Sequence, residues 1–173
     1  MDLKDIIYKR RSVRRYTGEA IPEEKLDEII SAGLAAPTSR GLKPCEFYVV
    51  KDKAVLSELS GAKVAGGAFL KDADAAIAVL ANEEVADTWI EDSSIALAYM
   101  NLMATELDVG SCWVQIHLRK GADGSDAEAN CRRILSVPDN YRIVGILSLG
   151  IPAGEAKPHD PSENDMNKVH FVR

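Results

Sequence analysis

The run from Asp87 to Leu107 constrains this chain more than any other stretch. It keeps helical spacing for 21 residues, and between Ile95 and Ala104 its only strongly polar side chain is Asn101. At 1.5 Å per residue such a helix is roughly 31 Å long, the width of a small domain. A helix apolar almost all round must be buried on nearly every side. Two arrangements meet that demand. The helix is central in the core of a monomer, or its own domain walls one side and a second protomer the other.

Shorter signals place the other elements. Asp2 to Lys9 reads as a helix with Leu3, Ile6 and Ile7 on one face. Pro22, followed by Glu23 and Glu24, opens a second helix that Pro37 stops. Breakers make the stretch from Ala36 to Pro44 a loop. Strands are expected at 47–50, 75–80, 112–116 and 143–150, and further helices at 53–59 and 127–135. The Ala/Gly-rich segment before Ala75 has no assignable period. Helices alternate with strands, so both faces of a sheet are covered. At about 150 residues per domain, residues 1–173 make a single domain.

Composition excludes several classes. Hydrophobic residues at 46% and charged residues at 28% are globular proportions, not those of a disordered chain. No run approaches the roughly 18 apolar residues of a membrane span. Met1 to Asp5 lacks the apolar core of a signal peptide, so a cytoplasmic location is expected. Cys45, Cys112 and Cys131 are odd in number and far apart, and His117, His159 and His170 are scattered. Neither a disulfide framework nor a metal site is expected. A net charge of −6 speaks against general nucleic-acid affinity.

Against that acidic background Lys4, Lys9, Arg10, Arg11, Arg14 and Arg15 crowd one short segment, with Asp5 the only acid among them. Such a patch either grips a specific anion, with arginine forks suited to phosphate, or is a solvated arm. The other end of the chain is also unusual. From Pro152 to Asp165 it is rich in Pro, Gly and charge, and then Val169 and Phe171 return at period two. Fifteen extended residues reach about 50 Å. An exposed Val-His-Phe-Val would be a liability, so residues 152–173 are expected to form an arm whose terminal strand adds to a partner's sheet edge. A frayed tail is the simpler alternative.

Four pieces then line up in order. They are Arg10-Arg11-Ser12-Val13-Arg14 after a short first helix, and Ala36-Pro37-Thr38-Ser39 with Pro44 and Phe47 before a strand. The long helix running into Gly110-Ser111-Cys112-Trp113 follows, and then Leu149-Gly150-Ile151-Pro152 before a tail ending Lys168-Val169-His170. This set, covering essentially the whole chain, resembles the short-chain branch of the FMN-dependent nitroreductase family. The resemblance implies an α+β fold: a mixed, mostly antiparallel sheet flanked by helices on both faces, assembled as an intertwined homodimer with FMN at the interface.

Carried over by position, Arg10, Arg11 and Ser12 match the grip on the FMN phosphate, and Lys157 and His159 match a family pair on the same group. Arg14 matches a basic residue near the flavin's pyrimidine edge, where a positive charge would favour the reduced, anionic flavin. Pro37, Thr38 and Ser39 match the loop that reaches FMN from the partner. Val114 and Gln115 match the segment beside the flavin N5 edge, while Trp113 reads equally as core. Departures fall at Gly41, Lys43, Cys45 and His159, where the family often has Asn, Gln, Trp and Arg. Gly41 offers no side chain to the partner's flavin, and Arg40 is the neighbour able to replace it. No G-x-G-x-x-G fingerprint is present.

The implied activity is ping-pong electron transfer from NADH or NADPH, through flavin N5, to a small-molecule acceptor: a nitroaromatic, a quinone or a free flavin. The flavin carries that chemistry, so no side chain is singled out as catalytic. The alternatives are specialised flavin chemistry on the same fold, dehalogenation or flavin breakdown, and a non-enzymatic flavin- or nucleic-acid-binding module. The short connection from Arg119 to Asp126 holds no large lid of the kind the specialised branches usually carry, which counts against that alternative and leaves it open.

Overall fold

The computed structural model describes residues 2–172, so Met1 and Arg173, the ends of the expected domain, lie outside the described residues. Strands β1 (Cys45–Val50), β2 (Ala75–Asn82), β3 (Gly110–Gln115) and β4 (Tyr141–Gly150) form one sheet in the order β1-β2-β4-β3. Its helices are α1 (Leu3–Lys9), α2 (Glu23–Leu34), α3 (Lys53–Ser60), α4 (Trp89–Glu106) and α5 (Ala127–Leu135). All three ladders are antiparallel. The expected mixed character is confined, among the described residues, to one parallel bridge between Ser12 and Ser111.

Strand alternation builds two cores. In β2, Ala75, Ile77, Val79 and Ala81 pack with Leu26 and Ile29 of α2 and with Leu97 and Met100 of α4. Ala76, Ala78 and Leu80 face the other way, toward Leu56 and Leu59 of α3 and Cys131 of α5. A central strand covered on both faces is apolar at every position, which is why β2 reads as an unbroken run. The unassigned Ala/Gly-rich segment holds a 3-10 turn, Ala68–Asp72, that anchors Leu70 in the second core.

The long helix is 18 residues, about 27 Å. Its inner side buries Ser93, Ala96, Leu97, Met100 and Ala104. Gly33 of α2 makes that approach possible, because a Cβ there would lie 2.9 Å from Met100 Cγ. On the outer side Ile90 and Tyr99 are 38% and 43% exposed. Within one chain α4 is therefore walled on one side only, and the central-helix arrangement is removed. The accessible surface, 9562 Å², exceeds the roughly 8,300 Å² of a compact monomer of this mass.

The tail begins along its own chain. Residues 152–164 stay on their own chain. Pro152 bridges Tyr16, and the Ala153 N–H donates to the Arg15 carbonyl at 3.0 Å. The His159 N–H reaches the Tyr8 carbonyl at 2.8 Å, and Asn164 Nδ2 reaches Tyr8 Oη at 3.0 Å. Only beyond Asn164 does the chain stand clear, with Phe171 and Val172 76% and 99% exposed. The terminal strand expected around Val169 and Phe171 has no ladder among the described residues. None of the described helices is long and apolar enough to cross a membrane.

Candidate functional site

Where α1 ends at Arg10 the chain becomes extended and is sewn to the edge of the sheet. The Val13 N–H donates to the Ser111 carbonyl at 2.9 Å, and the Thr17 N–H to the Ile151 carbonyl at 2.9 Å. This stitching brings residues from both chain ends together. Arg11 Nη1 donates to the Lys157 carbonyl at 2.7 Å, across 146 positions of sequence. Arg10 Nη2 lies 3.4 Å from His159 Nε2. Ser12 sits between them and β3 through its bridge to Ser111. Lys9 is paired with Asp108, but among the described residues no carboxylate pairs with Arg10, Arg11 or Lys157. The guanidiniums of Arg10 and Arg11 thus keep charge and donors that no carboxylate takes up, and an anion with several acceptor oxygens would use both.

Arg14 lies one step along. Its Nη1 leans on the Ser12 carbonyl at 3.5 Å, and its guanidinium sits over the Phe69 ring, 5.8 Å from the centroid. Cys112 lies beside it. Burial pushes that thiol up, and the charges and hydrogen bonds of Arg14 and Ser12 only partly offset the rise. Lys63 closes the same edge, donating to the Gln115 carbonyl at 3.0 Å. Burial, with the charge of Arg119 added, lowers its pKa. Sequence reasoning missed Lys63 and Phe69, both from the segment without period.

On β3, alternation separates the expected residues. Val114 is 1% exposed within the α3/α5 core, so only its main chain could touch a ligand. Trp113 packs against the α2/α4 core, where Gly145 makes room for it: a Cβ there would lie 2.6 Å from its indole nitrogen. Trp113 Nε1 donates to Gln115 Oε1 at 3.0 Å, and Gln115 Nε2 donates to the His117 carbonyl at 3.2 Å. The amide of Gln115 is thus oriented from both sides.

The loop of Pro37, Thr38, Ser39, Arg40 and Gly41 is held elsewhere. The Ser39 N–H donates to Asp92 Oδ1 at 2.8 Å, in the first turn of α4, and the Lys43 N–H donates to Thr38 Oγ1 at 3.0 Å. Arg40 pairs with Asp87 at 2.5 Å. Gly41 has φ +69°, a conformation that glycine adopts without strain. Ser111, beside Ser12, hydrogen-bonds Asn101. From Asp92 to Asn101 the helix rises about 14 Å. Within one chain the structure therefore gathers Arg10, Arg11, Ser12, Arg14, Lys157, His159 and Gln115 around one edge and leaves residues 37–41 toward the other end of α4.

A second cluster lies behind β3 and was not seen in the sequence. Glu128 of α5 is 2% exposed. Its carboxylate accepts from Arg142 Nε at 2.9 Å, Arg142 Nη2 at 3.1 Å, the Ile143 N–H at 3.1 Å and His117 Nδ1 at 2.6 Å. Burial works to raise its pKa, but the bonds from Arg142, His117 and Ile143 together hold it below its ordinary value. Arg142 also pairs with Glu83 and stacks 4.7 Å over Trp89, whose ring meets His117 edge-on at 5.0 Å.

Comparison with known proteins identifies the family. Residues 7–66 and 60–151 match the nitroreductase family. A protein of Archaeoglobus fulgidus, whose name assigns it provisionally as an NADH dehydrogenase/NAD(P)H nitroreductase, is 32% identical over 170 residues, 95% of this chain and 94% of its own. One of the same name from Methanothermobacter thermautotrophicus is 30% identical over all of this chain and 88% of its own. Among solved structures, an FMN-dependent nitroreductase of Clostridium difficile R20291 superposes with a TM-score of 0.95 at 43% identity, over 98% of this chain and 99% of that one.

Proposed function

This chain belongs to the nitroreductase family and is an oxidoreductase, and on that premise we propose that two copies of it hold FMN between them and pass electrons from NADH or NADPH to a nitroaromatic, quinone or free flavin acceptor. One observation carries the cofactor assignment: Arg10 lies against the His159 ring and Arg11 against the Lys157 carbonyl, drawn together from opposite ends of the chain, and among the described residues no carboxylate is paired with either arginine. That donor set suits the phosphate of FMN, which bears up to two negative charges and three acceptor oxygens. The Ser12 hydroxyl adds a neutral donor beside them.

Accepting hydride from the nicotinamide and releasing it to the acceptor is the chemistry that the flavin supplies when bound. The chain's part is binding, orientation and charge. Arg14, steadied over Phe69, supplies a fixed positive charge toward the pyrimidine edge. Gln115 presents an amide of fixed orientation toward N5. The loop of residues 37–41 is held at the first turn of α4, away from the Asn101 end of the helix that meets Ser111. It serves the flavin of the other protomer, across an interface made by the exposed face of α4 and by residues 165–172 reaching over the partner. No side chain is needed as an acid or base.

The absorption spectrum of the purified protein tests this. Flavin bands are expected, and they should bleach on anaerobic addition of NADH or NADPH and return on addition of a quinone or nitroaromatic. A colourless protein that takes up no FMN would end the proposal.

A further inference from the structure

The buried cluster around Glu128 touches the proposed flavin edge at one point, the carbonyl of His117. At that point one hydrogen bond, from Gln115 Nε2, ties the tip of Gln115 to His117. Trp113 Nε1 can only donate, so the oxygen of the Gln115 amide faces it, and the amide nitrogen faces the His117 carbonyl. His117 is fixed in turn. Glu128 is ionised and can only accept, so His117 Nδ1 carries the proton between them. The main chain is pinned at the same place, where the N–H groups of Ile116 and His117 both donate to the Val144 carbonyl, at 3.0 and 3.1 Å. A carboxylate 2% exposed, with four donors on it, is far more than the burial of α5 requires. Replacing a buried ion pair by apolar side chains is often neutral or stabilising, so a cluster that holds the fold together can carry a second, positioning role.

We propose that Glu128 is a positioning residue for the flavin: through His117 it sets the direction of the Gln115 amide at the N5 edge. This deepens the flavin reading above and rests on it. The effect is transmitted by orientation alone, with Glu128 held away from the cofactor by the width of His117.

The test uses the FMN-loaded protein and four variants: Q115A, E128Q, H117N and H117A. Asn at 117 can keep a donor near the place of Nδ1, whereas Ala cannot. Three quantities are read: the midpoint potential of the bound flavin, the rate of its anaerobic reduction by the nicotinamide, and the melting temperature. Q115A is expected to shift the potential and slow reduction about tenfold. E128Q and H117A should shift the potential in the same direction and slow reduction by a comparable factor, H117N should not, and E128Q should add nothing once Gln115 is Ala. If E128Q does not fold, the H117A and H117N pair carries the same test. A lower melting temperature with potential and rate unchanged in E128Q or H117A overturns the inference, as does an effect that multiplies with Q115A. If Q115A itself leaves the flavin untouched, or the wild type takes up no FMN, the placement of Gln115 fails and the inference falls with it.

Discussion

Two groups of arginines in this molecule live in opposite circumstances. Arg142 has all three guanidinium nitrogens engaged: Glu128 takes two, Glu83 the third, and Trp89 covers its face. Arg10 and Arg11 meet only a carbonyl and an imidazole, and no carboxylate pairs with either among the described residues. The first group is satisfied by the fold. The second is satisfied only by something the fold must bind. Where charges are already matched they hold structure together, and where they are gathered but unmatched they mark a ligand.

The contrast breaks most visibly if Arg142 is removed. Arg142→Ala leaves a carboxylate almost wholly buried with one of its charge partners gone, and about 3–5 kcal/mol of stability should be lost. Chemical denaturation at neutral pH measures it. Glu128 is held below its ordinary pKa in the folded protein. Its ionic contribution is therefore present above the unfolded value of about 4.3 and disappears as pH falls through the lower folded value. The difference between wild type and variant should narrow as the pH drops below that range. A gap that stays constant down to pH 3 would mean that the pairing contributes little.

The unmatched group should respond in the reverse sense. Replacing Arg10 and Arg11 together by Ala should weaken FMN by about a hundredfold or more, since each charge-assisted hydrogen bond is worth about 1.5–3 kcal/mol. The melting temperature of the flavin-free protein should fall little, because the fold loses only the exposed bond from Arg11 to the Lys157 carbonyl and the contact of Arg10 with His159. Riboflavin, which lacks the phosphate, should bind both proteins alike. Equal losses for FMN and riboflavin would place the phosphate elsewhere.

The two groups were also unequally legible in the sequence. The basic segment stood out because its charge runs against the rest of the chain, and its partners Lys157 and His159 were placed by resemblance. The strands and most helices were readable from their apolar pattern, a periodic face in α2 and α3 and an unbroken run in β2 and β4. Glu128, His117 and Arg142 carried no such mark. Each is a single polar residue in an ordinary context, and they meet only because α5 folds back over the junction of β3 and β4. Lys63 and Phe69 were lost for a related reason, since their segment is held by a 3-10 turn too short to show a period. Val114 was readable in principle: in Cys112-Trp113-Val114-Gln115-Ile116, the strand period puts it with Cys112 and Ile116, on the face away from Gln115. The first half of the tail could not be read, because main-chain and polar contacts hold it, with no apolar face.

Tyr16 stands at the joint between the two regions and gives the smallest but sharpest test. Its hydroxyl lies 2.9 Å from the Val13 carbonyl, on the basic segment, and 2.7 Å from Ser148 Oγ, in the sheet. Ser148 in turn donates to the Cys112 carbonyl at 3.2 Å. Burial pushes the phenol above its ordinary pKa, so it stays a neutral donor across the working range. Tyr16→Phe removes only the hydroxyl. The ring keeps its seat over Gly150, where a Cβ would lie 2.6 Å from Tyr16 Cδ1, and the main-chain bonds of Val13 and Thr17 still hold the segment. About 1 kcal/mol should be lost, a fall in melting temperature of about 2–4 °C. Because those main-chain bonds already place Arg10, Arg11 and Ser12, FMN affinity should change by less than about twofold, well under the effect of one charge-assisted bond. The opposite pattern, an unchanged melting temperature with FMN weakened as in the double arginine variant, would move Tyr16 from the matched region to the unmatched one. It would also show that the phosphate grip depends on the sheet through this single hydroxyl.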